Sequence, residues 1–105
     1  YGRGPVGNMY SPFGSIDEDV DAYSKIIPGA PIFITEWGVL DRPNDPAAQV
    51  ADYAIGFISR LKNLYSGKVA GALWYAWADT MHNGYGLVDR NNNPKQPLYD
   101  RFMKA

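Results

Sequence analysis

The chain contains no cysteine, which excludes a disulfide scaffold and a thiolate metal site. Histidine occurs once, as His82, so a zinc-type site would need carboxylates such as Asp79 or Asp89 to complete it. Their spacing suggests no such site, and neither a metal nor a cofactor is expected. Basic and acidic residues nearly cancel, leaving a formal net charge of -1, and no basic cluster interrupts the sequence. That balance gives nucleic acid or an anionic membrane surface nothing to hold. No apolar run approaches the roughly 20 residues that span a bilayer. No signal-peptide pattern opens the chain, which also begins without methionine, so the compartment stays open. Glutamate is scarce as well, and Glu18 and Glu36 are the only two.

Aromatic residues, by contrast, are plentiful. They make up 14% of the chain, with eight tyrosines and three tryptophans, a supply suited to clefts for sugars and other ring-shaped ligands. At 105 residues, 46% hydrophobic and 20% charged, the sequence is that of one small globular domain or part of a larger one.

Residues 1–14 are rich in glycine and proline and hold one weak extended candidate, Val6 to Tyr10. Ser15-Ile16-Asp17-Glu18 fits a capping box for a helix carrying Val20, Tyr23, Ile26 and Ile27 at helical spacing, which stops at Pro28-Gly29. Its acidic run from Asp17 to Asp21 suits the positive end of a helix dipole. Asn44-Asp45-Pro46 starts a second helix, with an apolar stripe of Val50, Tyr53, Ala54, Phe57, Ile58, Leu61 and Leu64. After Ser66-Gly67-Lys68, the run from Val69 to Trp77 reads as a buried strand. A loop from Ala78 to Gly86, a short extended Leu87-Val88-Asp89 and a turn at Asn91 to Pro94 follow. Pro97 opens a last helix with Leu98, Phe102 and Met103 inward.

The stretch Pro31 to Gly38, P-I-F-I-T-E-W-G, carries the most information. β-Branched and aromatic residues close on one carboxylate, and a glutamate inside such a run is unfavourable unless paired or used. Simple alternation puts Ile32, Ile34 and Glu36 on one face and Phe33 and Thr35 on the other. Two-sided apolar strands alternating with amphipathic helices predict an α/β chain with a parallel sheet. Two strands and part of a third cannot close such a sheet, which points to the carboxyl-terminal portion of an eight-fold (β/α)8 TIM barrel, normally about 250 residues. In that architecture catalytic side chains project from the carboxyl ends of strands, where Glu36 stands.

Taken in order, three motifs resemble a known family. Ile34-Thr35-Glu36-Trp37-Gly38, then Gly71 to Asp79 (G-A-L-W-Y-A-W-A-D), then Gly84 to Asp89 with Pro94-Lys95 and Pro97-Leu98-Tyr99, resemble strands seven and eight and the ending of clan A retaining glycoside hydrolases. Asn8-Met9-Tyr10-Ser11-Pro12 is similar to the family's motif at the end of strand six, with Asn8 standing where the family has histidine. The resemblance runs from about Val6 to Ala105, so that 1–105 is expected to be a partial catalytic domain, from the end of strand six through helix eight.

The resemblance implies that Glu36 is the nucleophile, that Tyr10 hydrogen-bonds and orients it, and that Trp74 floors the sugar site. Trp77 would line the rim, and Asn8, His82 and Asn83 would contact substrate. Trp37 would pack between strand and loop, and Asp79 would cap or pair near a strand end. The implied substrate is a β-linked glycoside or polysaccharide, and a secreted or extracytoplasmic setting is favoured.

A retaining enzyme needs a second carboxyl group about 5–5.5 Å from the nucleophile. The family's acid/base glutamate, in an Asn-Glu pair on strand four, has no counterpart here, so the piece alone is expected to be inactive. The remaining barrel strands, one to five, are expected as partners. A non-catalytic carbohydrate-binding barrel remnant is the alternative, as is a half-barrel that self-associates through its exposed strand edges.

Overall fold

Tyr53 follows Val50 by three residues, Ala54 by four and Phe57 by seven, and one face of an 18-residue helix buries all four together with Ala51. This is α2, Ala47–Leu64, the central element of the computed structural model, which describes residues 16–105. The Val6–Tyr10 strand, the Ser15 cap and the candidate site residues Asn8 and Tyr10 lie outside the described residues. Before α2 come α1, Ile16–Ile26, and β1, Ile32–Trp37; after it come β2, Val69–Trp74, and α3, Leu98–Lys104. β1 and β2 pair in parallel, and α2 is the crossover that parallel pairing requires. The fold is mixed α/β, with a two-stranded parallel sheet and three helices among the described residues. No helix among them is long and apolar enough to cross a membrane.

α2 begins one residue later than its start signal suggests. Pro46 is the N-cap, in extended conformation, and no side chain caps the helix. The Asp45 carboxylate is occupied elsewhere: it accepts hydrogen bonds from the Arg42 backbone N–H at 3.2 Å and from the Arg42 guanidinium at 2.9 and 3.0 Å. At the other end the stripe runs out at Leu64, which is exposed.

The sheet registers carry two irregularities that decide which residues face the helices. Ile32 pairs with Val69 and Phe33 with Gly71, so Ala70 is an extra residue on β2. Ile34 pairs with Ala72 and Trp37 with Trp74, so Thr35 and Glu36 together oppose Leu73. Ile32, Ile34, Val69, Ala72 and Trp74 consequently pack on the helix-side core, and Trp37 lies within it. Phe33, Thr35, Glu36 and Leu73 are exposed on the other face. This corrects the simple alternation: the bulge sets Thr35 and Glu36 against one partner and brings Trp37 to the side of Ile32 and Ile34.

The core is an aromatic stack between sheet and helices. Trp37 lies on Phe57 with centroids 4.3 Å apart, meets the edge of Trp74 at 4.9 Å, and Trp74 meets Phe102 of α3 at 5.0 Å. Such pairs contribute about 0.5–1.5 kcal/mol each beyond the area they bury. Leu98 and Phe102 turn inward from α3, but Met103 is exposed, against expectation. In α1 only Ile16 and Val20 are buried. Tyr23, Ile26 and Ile27 hold their helical spacing yet are exposed, lining a groove beside β1 rather than a packed core. Asp17 ties α1 to α2 by accepting two hydrogen bonds from the Arg60 guanidinium, at 2.9 and 2.6 Å, and one from the Tyr65 hydroxyl.

β2 ends three residues earlier than the apolar run predicts. At Tyr75 the chain leaves the strand, and the segment to Pro94 folds over the carboxyl ends of both strands. The Tyr75 N–H donates to the Trp37 carbonyl at 2.7 Å, the Ala76 N–H to Tyr85 at 3.0 Å and the Asp41 N–H to Gly84 at 2.7 Å. Gly86 is packed too tightly for any side chain: a Cβ there would lie 2.4 Å from the Asp79 nitrogen and from the Val88 oxygen. Gly84 adopts a left-handed φ of +89° that disfavours other residues.

Candidate functional site

The carboxyl ends of two parallel strands are where an open α/β sheet presents side chains to a ligand. Glu36 is the penultimate residue of β1 and is exposed. It borders the groove lined by Tyr23, Phe33 and Trp37. A carboxylate in this position can attack, accept a proton or hold a hydroxyl group. Trp37, directly after it, is buried between β1 and α2 and anchors the strand end from behind.

Trp74 is turned away from that face. Its indole is half-buried between Trp37 and Phe102, and its Nε1–H donates to the Ala76 carbonyl at 2.7 Å. Both the ring and the polar handle are engaged within the helix-side layer. Trp77 is half-exposed beyond the end of β2, 6.1 Å from the Tyr99 ring.

His82 is exposed in the loop after β2, where the sequence places it, but its partners come as an addition. Its Nδ1 lies 3.2 Å from the Tyr75 hydroxyl, and its ring centroid is 4.5 Å from that of Tyr85 and 5.7 Å from that of Tyr75. Tyr75 and Tyr85 are 6.0 Å apart. These three rings form a cluster that sequence reasoning misses. One signal for it exists: Tyr75 follows Trp74 directly in the apolar run, where strand alternation would turn the two opposite ways. Asn83 sits beside the cluster, its Oδ1 accepting a hydrogen bond from Arg90 Nε at 3.3 Å.

Beneath the loops lies a charged node. Lys95 Nζ stands 2.7 Å from Asp79 Oδ1 and 3.6 Å from Asp41 Oδ2, and the lysine and Asp79 side chains are only 15% and 12% exposed. Asp79, read from sequence as a capping or pairing residue, does both, since Oδ1 also accepts the Gly86 N–H at 2.8 Å. Burial pushes the Asp41 carboxyl above its ordinary value, against the pull of Lys95. Asp89 goes the other way, held low by backbone N–H groups of Asn93 and Asn91. Among the described residues no group of three or more His, Asp or Glu gathers to hold a metal ion.

The site thus has a carboxylate at the end of β1, an aromatic cluster after β2 and a part-buried lysine between the loops that carry them. Scans against protein-family models, curated proteins and solved structures each find no match to this chain.

Proposed function

We propose that this chain is the carboxyl-terminal portion of the (β/α)8 barrel of a retaining glycoside hydrolase, and that Glu36 is its nucleophile. One observation carries the reading: the only glutamate outside α1 stands exposed at the carboxyl end of a parallel strand. The ordered motifs of the sequence support it. So does a sheet whose apolar residues Phe33 and Leu73 remain about two-thirds exposed, as they would if further strands belonged against them.

In this reading ionised Glu36 attacks the anomeric carbon of a β-linked glycoside or polysaccharide, while a second carboxylic acid protonates the leaving oxygen. The C–O bond to the leaving group breaks as the glycosyl–Glu36 ester forms. Water then cleaves the ester, with the second residue now acting as base. The second carboxyl comes from the earlier barrel strands, because Glu18 is an exposed residue in the first turn of α1. Tyr10 orients the nucleophile. The rings of Tyr75, Tyr85 and His82 give a pyranose its apolar platform, Trp77 and Asn83 stand at the rim, Asn8 contacts substrate from the strand-six end, and Trp74 braces the site from behind.

A second reading, a barrel remnant that binds carbohydrate without turnover, is favoured by the lack of another strand-end glutamate in the chain. The anomeric configuration of the first product, read by proton NMR before mutarotation, separates the two. A retained anomer supports the nucleophile, an inverted one overturns it, and sugar binding without product selects the binder.

A further inference from the structure

We infer that Lys95 is a positioning residue, clamping the loop that follows Glu36 to the loop that carries Tyr75, His82 and Tyr85. The inference rests on the hydrolase reading for its consequence in catalysis, but its structural basis is independent of it. Lys95 lies just ahead of α3. It sits between Asp41, in the segment after β1, and Asp79, in the segment after β2, and contacts both carboxylates. Asp41 is itself pinned to the loop after β2, and Asp79 is pinned within that loop. The Asp41 N–H donates to Gly84, Asp79 Oδ1 accepts from Gly86, and Leu40 Cδ1 lies so close to Gly84 that a Cβ there would meet it at 2.7 Å. Lys95 is held in turn by its own N–H, which donates to the Leu87 carbonyl at 2.9 Å.

One ammonium group between two part-buried carboxylates is more than a surface ion pair. Without it, two negative charges would face each other across the junction of the loops, with Asp45 adding repulsion on the Asp41 side and Asp89 near Lys95. Arg42 does not replace it, because its guanidinium is committed to Asp45. The charge of Lys95 therefore holds the two loops together, and with them the distance between the carboxylate and the aromatic platform.

The test is amide hydrogen exchange at Asp41 and Gly86, with kinetics measured on the whole enzyme in parallel. Lys95→Met keeps the apolar stem and removes the charge. It should lower protection at both amides at least roughly ten-fold at neutral pH. Protection should recover as pH falls and Asp41 takes up a proton, whereas the parent protein should change by no more than about three-fold over the same range. Lys95→Arg should retain protection. Asp41→Asn placed in the Lys95→Met background should restore part of it and flatten the pH dependence.

In turnover, Lys95→Met should lower kcat by up to about 100-fold with little change in KM, the effect of a misplaced group rather than a lost contact. Parental protection in Lys95→Met, or no rescue by Asp41→Asn, would overturn the clamp. Lost protection with unchanged kcat would overturn the positioning role. A parent enzyme without glycosidase activity would refute the hydrolase reading alone, and the exchange data would still decide the clamp.

Discussion

On the helix side of the sheet, Trp37 stacks on Phe57, Trp74 is wedged against Phe102, and Ile32, Ile34, Val69 and Ala72 close the layer. On the opposite side Phe33 is 67% and Leu73 65% exposed, with Thr35 and Glu36 between them. Both faces are built from the same two six-residue strands, and both carry large apolar side chains. The difference shows that apolar content alone does not mark the covered face. Register does, because the two bulges assign each residue to its side. The covered face holds this unit together, and the open one leaves its apolar side chains and Glu36 in solvent.

The strongest way to break this comparison is at Glu36. On the proposed hydrolase reading, Glu36→Gln in the intact protein should lower turnover by roughly four orders of magnitude and leave the melting temperature nearly unchanged, since no core packing is lost. Coupled aryl-glycoside kinetics and thermal melts check both halves.

Next in size is the contrast between two phenylalanines. Phe57→Ala should destabilise the 105-residue chain by about 3–5 kcal/mol. Phe33→Ala should change it by no more than about 0.5 kcal/mol, as a surface substitution does. In the proposed whole barrel the Phe33 effect should grow toward that of a buried residue. Denaturant titrations of both forms sharpen the comparison, and equal effects of Phe33→Ala in the two would break it.

A third contrast sets Trp74 against Tyr75. Trp74→Ala should act chiefly on stability, again by about 3–5 kcal/mol, leaving kcat/KM per folded molecule within a few-fold. Tyr75→Ala should do the reverse, lowering kcat/KM roughly ten-fold through a loss of about 1.4 kcal/mol in transition-state binding, with a small effect on melting.

The smallest effects are those of pH. The Arg60 hydrogen bonds, with help from Tyr65, lower the Asp17 carboxyl below its ordinary 3.8. Its tie between α1 and α2 is present above that value and is lost as pH falls through the folded-state value. Asp41 is raised by burial, so the folded state binds its proton more tightly. Its contribution is therefore greatest in acid and declines as pH rises through the folded-state value. Asp17→Asn should flatten the acid limb of the stability profile, and Asp41→Asn should remove the opposing slope, both measured by denaturation across pH.

Much of this architecture is legible in the sequence. The α2 stripe from Val50 to Leu61 and the β-branched run ending at Glu36 announce themselves through periodicity, which is a local property. What stays hidden depends on partners distant in the chain. The bulge that sends Thr35 and Glu36 to one face is set by pairing with Leu73, and no pattern within β1 reveals it. Likewise Trp74 looks like an exposed platform until Phe102 and the Ala76 carbonyl are brought to it by the fold. Tyr75 and Tyr85 are ten residues apart and meet only because the loop after β2 folds back, the Ala76 N–H bonding to the Tyr85 carbonyl. The Lys95 node draws on three segments of sequence. Tyr23, Ile26 and Ile27 read as core because helical spacing records which face is apolar, not what lies against it.

The most direct measurement on the central claim is covalent trapping of the intact enzyme with a mechanism-based fluoro-sugar, followed by peptide mapping. The account predicts a single glycosyl ester on Glu36, absent from Glu36→Gln and slowly released by an acceptor that restores activity. An ester on any other carboxylate, or an active enzyme that turns over substrate and carries no label at Glu36, would contradict it.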